Sequence, residues 1–399
     1  MASLVRQPIL DKYGQVHGYE LIFEMCKTHL DVAGHPNALA VLENIVLFGL
    51  DRLTGGSRAF FDCTAETMTE DVAAVLPADM AVLQIPATLE ISGRVRSVCR
   101  KLKTAGFRFA LVDLPDTSEP HPLLDLASYV KLDASRVESG GWEQLRRTLR
   151  NASIPMVASG VHSQDSYRRT RAEGFDYFQG FYFCRPKPLK SAGIPANRLV
   201  HVEILRELFK DPLELNRLCP LVIREVALVF HVLRLVNSPL YAIRETISSI
   251  NSAILILGDA AFRRIATLAI QCALNDGKPR EILHISLVRA RFCAESAGFC
   301  NLDANEQYLL GMLSMLPAMM GVPMESIVPE LPLRDELRRA LLGSPIHERC
   351  LLDWIECHES NKTTECQAIA DHYMLDSTRL MQRYVDALVW AAAEPAIAG

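Results

Sequence analysis

The stretch GYELIFE, residues 18–24, sets one carboxylate, Glu20, inside an apolar run that otherwise reads as a buried strand. Burying a carboxylate alone is very costly, so Glu20 calls for a partner cation, a hydrogen-bond network or a metal. A second set of chemistry-bearing residues lies in IHERCLLDWIECHES, which holds His347, Cys350, Cys357 and His358. Their spacing fits no common zinc pattern, and an apolar helix rich in Leu and Trp accounts for them better. The basic clusters RRTRAEG (168–174) and FRRIA (262–266) read as solvated faces, the second with a possible anionic ligand. Cys293 and Cys300 keep the seven-residue offset of one helix face and read as core thiols.

The elements that must position these residues fall into two halves. Across the first, strand-length apolar runs alternate with helical patterns: RAFFDCT, AVLQIP, FRFALVDL, YVKLD, IPMVAS and FDYFQGFYF, with helix-like stretches such as ISGRVRSVCRKLKTAG between them. Near-continuous apolar strands separated by helices argue for a parallel sheet, and this many units argues for a barrel whose strand-end polar residues share one site. Residues 191–200 read as the tail of a Pro-rich linker, separating a domain over 1–190 from one over 201–399. Beyond it every segment is helical in period, so the second half reads as all-α. The 399 residues, 49% hydrophobic with net charge −5, suit two or three cores and provide no basic footprint for nucleic acid. The apolar runs are too short to span a bilayer. The 11 cysteines, without an apolar leader, read as reduced thiols in a cytoplasmic protein.

Taken together, QPI…GYELIF, FFDCTAE, VLQIPA, FALVDLP, VKLD, ASGVHSQ and FQGFYFCRP follow the motif order of the EAL domain, and region 4–190 resembles it. That resemblance implies a TIM-like α/β barrel which in active members hydrolyses cyclic-di-GMP with two divalent metals. On this basis Glu20 matches the first glutamate of the family and Asp62 stands for its metal-binding Asn. Gln84 and Ala87 replace glutamates, Val112 replaces the first of two aspartates while Asp113 keeps the second, and Ser159 and His162 replace the A-E-G-V-E glutamates. Lys131 and Gln179 are retained. Glu20, Asp62 and Asp113 against Lys131 leave a cleft charge of about −2. Val112 offers no ligand, and His162 suits zinc better than magnesium. The arginine of the family signature has become Glu24, which would repel a ligand phosphate.

The stretch 229–270, with LRLVNS and ISSINSAILILG, resembles the HDOD signature, an all-α relative of HD phosphohydrolases. The resemblance implies an HD pair where Ser314 and Met315 stand, and His-Asp occurs nowhere in the chain. Within the signature, Asn237 and Ser238 read as a helix end, Asn237 tolerating a left-handed cap, with Ser249 or Asn251 capping the next helix.

An EAL-like barrel followed by HDOD resembles a bacterial signalling architecture, with output in motility, biofilm or virulence programmes. The expectation from the altered positions is a non-catalytic adaptor that binds signalling proteins, forms a homodimer through the barrel, and has no metal, no cofactor and no cyclic-di-GMP as partner. The alternatives are a cyclic-di-GMP receptor and, behind it, a residual phosphodiesterase using Asp62, Asp113 and His162.

Overall fold

Asp11 turns the chain at the first loop: its Oδ1 accepts from the backbone N–H of Tyr13 and of Gln15, both at 2.8 Å, and Gly14 takes φ 79°. The result is a hairpin of β1 (Ser3–Asp11) and β2 (Val16–Glu24), antiparallel, with Gln7 opposite Glu20. In this computed structural model the described residues are 3–24, 49–63, 76–117, 119–139, 142–180, 182, 196–237, 247, 249–275 and 277–393. They fall in two compact units, Met1–Phe183 and Cys184–Gly399.

In the first unit β2 is followed by β3 (Arg58–Asp62), β4 (Ala81–Pro86), β5 (Arg108–Val112), β6 (Tyr129–Asp133), β7 (Met156–Ser159) and β8 (Tyr177–Gln179). From β2 to β8 each strand pairs parallel with the next, and β8 closes on β1 antiparallel, giving an eight-stranded barrel. The expectation of a parallel sheet is therefore corrected at β1 alone, where a short hairpin loop over 12–15 replaces a crossover helix. Helices α1 (Leu50–Thr54), α2 (Gly93–Thr104), α3 (Ala134–Ser139), α4 (Glu143–Ala152) and α5 (Gln164–Ala172) lie between strands. Ser92 and Ser163 start α2 and α5 by accepting from Val95 and Ser166 N–H, which satisfies donors that a helix start leaves open.

The second unit is helical: α6 (Ala196–Leu208), α7 (Leu215–Arg224), α8 (Val226–Val236), α9 (Ile250–Leu274), α10 (Arg280–Ser296), α11 (Ala304–Leu313), α12 (Leu316–Met320), α13 (Met324–Ile327), α14 (Asp335–Leu341), α15 (Cys350–Glu359), α16 (Thr363–His372) and α17 (Ser377–Ala392). Helix α6 begins at Ala196, inside the stretch expected to be linker; residues 191–195 lie outside the described residues. Ser249 caps α9 through the Ser252 N–H, and Gly258 (φ 74°) breaks that helix into two runs. Leu205, Val232, Phe262, Leu287, Phe292, Leu316 and Ile355 belong to one buried cluster that joins α6 to α17. Among the described residues no single helix is long and apolar enough to cross a membrane.

Candidate functional site

Ile9, Phe60, Val82, Ala110, Tyr129 and Val157 fill the barrel at one level, with Tyr177 packed against them. Side chains on a strand alternate faces, so the next inward position lies two residues further along. Two beyond Phe60 comes Asp62, and likewise Val82 leads to Gln84, Ala110 to Val112, Tyr129 to Lys131, Val157 to Ser159 and Tyr177 to Gln179. Strand β1 runs the opposite way, so its contribution is Gln7, two before Ile9. The polar layer at the C-terminal mouth is thus the periodic continuation of an apolar one, and β2 adds Glu20 opposite Gln7.

Glu20 is 7% exposed and fully engaged. Its Oε1 accepts from Lys131 Nζ at 2.5 Å and from Gln84 Nε2 at 2.6 Å, and its Oε2 accepts from Gln179 Nε2. Burial by itself would raise the Glu20 pKa, but the Lys131 ammonium and the three donors outweigh it and hold the group below its ordinary value. Gln84, completely buried, also donates to Asp62 Oδ1 at 2.8 Å and accepts from Lys131 at 3.2 Å. Gln179 Nε2 donates to Gln7 Oε1 at 2.9 Å, while Gln179 Oε1 is buried with no hydrogen-bond partner among the described residues. Gly180 follows because a Cβ there would lie 2.2 Å from the Val161 carbonyl oxygen, and its φ of 150° suits glycine.

Glu20, Asp62, Gln84, Lys131 and Gln179 therefore form one connected cluster. Asp113 stands apart from it, exposed with φ 54°, its Oδ1 accepting from the Asp133 N–H at 3.3 Å. Asp133 Oδ1 in turn accepts the Ser135 N–H at 2.8 Å. Val112 lies opposite Lys131 and contributes apolar wall, Ser159 is half-buried opposite Asp133, and His162 is exposed on the following loop. Glu24 ends β2 opposite Ser3, and its side chain lies outside the described residues. Gln7 and Asp133 join the site through register and a loop bond; the alternation of β1 was the signal that could have found Gln7.

The donor set does not fit a pair of divalent ions as it stands. Hard cations need oxygens turned inward, whereas Gln84 turns both of its N–H bonds toward the Glu20 and Asp62 carboxylates, and Lys131 already neutralises Glu20. Among the described residues no three His, Cys, Asp or Glu side chains are grouped to hold a metal.

In the helical unit Asn237 ends α8 with φ −84°, so the left-handed cap it could tolerate is not used. Its Nδ2 donates to Leu233 O and Ile247 O, both at 2.8 Å, and its Oδ1 accepts the Ile247 N–H at 2.7 Å. The amide acts as a stretch of backbone, which removes any need for a reversed φ. Ser238 lies outside the described residues. Ser314 Oγ accepts from Arg289 at 3.2 Å, and the same guanidinium pairs with Glu356 at 2.9 Å and Glu359 at 2.6 Å. Gly311 lets α10 and α11 meet: a Cβ there would lie 2.6 Å from the Ala290 nitrogen. His358 stacks on Trp354 at 5.0 Å, and His347 Nε2 bonds the Cys300 carbonyl at 2.9 Å.

Comparison with known proteins places these observations. Residues 61–186 match the EAL domain and residues 194–322 the HDOD domain. Two curated relatives align over almost the whole chain. The uncharacterized protein YuxH of Bacillus subtilis is 26% identical over 97% of this chain and 97% of its own. The cyclic di-GMP phosphodiesterase CdgJ of Vibrio cholerae is 26% identical over 97% of this chain and 92% of its own. Among solved structures, the calcium and cy-diGMP complex of Klebsiella pneumoniae BlrP1 is 18% identical, covering 46% of this chain and 55% of that one at TM-score 0.36. The FimX EAL domain from Pseudomonas aeruginosa, bound to c-di-GMP, is 17% identical over 46% and 89% at TM-score 0.35. Two expectations are corrected here. The expectation of a chain that is no enzyme is overturned by a relative, matched end to end, that is named a phosphodiesterase. The expectation that cyclic-di-GMP is not a partner is overturned by the same relative, whose name gives cyclic di-GMP as what it acts on. An EAL domain over 61–186 is thus followed in this chain by an HDOD domain over 194–322.

Proposed function

We propose that this chain acts in cyclic-di-GMP signalling and engages the dinucleotide at the C-terminal mouth of its EAL barrel. The observation that carries this reading is the preformed polar layer of Gln7, Glu20, Asp62, Gln84, Lys131 and Gln179, with the Gln179 Oε1 buried and unpartnered among the described residues. A buried acceptor of that kind gains a hydrogen bond when a ligand donor arrives, and the strand C-termini of such barrels are where sites are built. The end-to-end likeness to a curated cyclic di-GMP phosphodiesterase supports the same ligand. Calorimetric titration of the full chain with cyclic-di-GMP, with and without Mg²⁺ or Mn²⁺, tests it, alongside chromatography for linear dinucleotide product. Saturable heat that Gln179→Leu diminishes is the expected outcome; no heat, no thermal shift and no product would refute it.

A second reading, regulation through protein contacts, is favoured by the HDOD unit, where Ile223 and Phe230 are each 61% exposed and Leu255 81%. Large apolar side chains left exposed on three helices of this unit supply what a protein contact would bury. A partner retained by the full chain and released by Phe230→Asp with Leu255→Asp supports it, and unaltered retention counts against it.

A further inference from the structure

Cys300 closes a short 3-10 turn, Ala297–Cys300, after α10, and Cys350 opens α15. Their sulfurs lie 3.4 Å apart, in contact across 50 positions of sequence. A disulfide needs about 2.05 Å, so closing the bond asks for a shift of little over an ångström between two helix ends. The same two ends are already tied by His347, whose Nε2 bonds the Cys300 carbonyl at 2.9 Å. Cys300 is 6% exposed and Cys350 0%, which places Cys300 on the side a small oxidant reaches first.

We propose that Cys300 and Cys350 are a modification site, a thiol pair that a peroxide converts to a reversible disulfide stapling the end of α10 to the start of α15. The Cys300 thiolate attacks one peroxide oxygen, the O–O bond breaks, and a sulfenic acid forms as the other oxygen takes up the proton Cys300 gave up and leaves as an alcohol or water. The Cys350 sulfur then attacks the Cys300 sulfur, the S–O bond breaks, and the Cys350 proton leaves with the hydroxide as water. Two thiols are oxidised by two electrons, and one peroxide is reduced. The division of labour follows the exposure of Cys300, and the contact between the two sulfurs agrees with it: that contact draws the Cys300 pKa down, and the same contact together with burial pushes Cys350 up. Cys293, completely buried, is pushed up as well, so it stays a thiol beside them.

The test uses the native full chain: treat with hydrogen peroxide, alkylate the remaining thiols, digest without reductant, and identify cross-linked peptides by mass. The expected result is a Cys300–Cys350 peptide pair lighter by two hydrogens, separated again by dithiothreitol and lost in both Cys300→Ser and Cys350→Ser. The oxidised chain should also melt higher, by roughly 8–16 °C for a loop of this length in a unit of this size. Both thiols fully alkylated after oxidation of the native chain, or Cys300 joined to another cysteine, would overturn the proposal. So would a cross-link that forms only after denaturation.

Discussion

Lys131→Met leaves the Glu20 carboxylate buried with its ammonium removed. Breaking one side of a buried ion pair costs about 3–5 kcal/mol. Glu20 keeps the amide donors of Gln84 and Gln179, so the lower end, about 3 kcal/mol, is expected. The pH dependence supplies the sharper test. In the native chain Glu20 is held below its ordinary pKa, so its contribution is complete above the unfolded value and fades as pH falls through the folded one. Without Lys131, burial dominates and the folded pKa moves above the unfolded value, so the variant is penalised at neutral pH and relieved by protonation in acid. The stability gap between the two chains should therefore narrow from pH 7.5 to pH 5. Trp142, buried against Phe175 in the barrel, reports the relevant transition if Trp354 and Trp390 are made Phe in both chains. Urea unfolding then gives a midpoint lower by about 1.5 M at pH 7.5, for a slope of about 2 kcal/mol/M. A gap below about 1 kcal/mol, or one equal at both pH values, would refute the view that Glu20 is a charge held by its partners.

Gln84→Glu replaces the amide that bridges Glu20 and Asp62 by a third carboxylate. The added repulsion should raise affinity for Mn²⁺ at least tenfold by calorimetry, and unchanged affinity would show that the cluster relaxes without a cation. Asn237→Ala removes the two bonds that hold Ile247 to the end of α8; about 2 kcal/mol of lost stability and faster amide exchange at Ile247 are expected. Exchange unaltered at that amide would show the bridge to be dispensable.

The barrel was legible where chemistry and periodicity coincide. Runs such as FRFALV and AVLQIP are apolar on both faces because helices cover one and the barrel interior the other, and the strands fall on them. The opening hairpin was harder, since Asp11 and Gly14 build its turn within what reads as one extended stretch. The site residues were legible as types. Their arrangement was not, because the amide of Gln84 could have faced either way until Lys131 and two carboxylates set its orientation. Asn237 shows the same limit: its residue type fits a reversed cap, but a partner ten positions away, Ile247, decides its conformation.

Arg289 carries a consequence for how the HDOD unit responds to its surroundings. Glu356, Glu359 and Ser314 converge on a guanidinium that belongs to the chain, not on an ion drawn from solution. A tethered guanidinium has no dissociation constant and keeps its charge across the physiological range. The link between α10 and α15 is therefore indifferent to divalent-ion supply and to chelators, so fluctuations in ion availability leave this junction a constant of the fold.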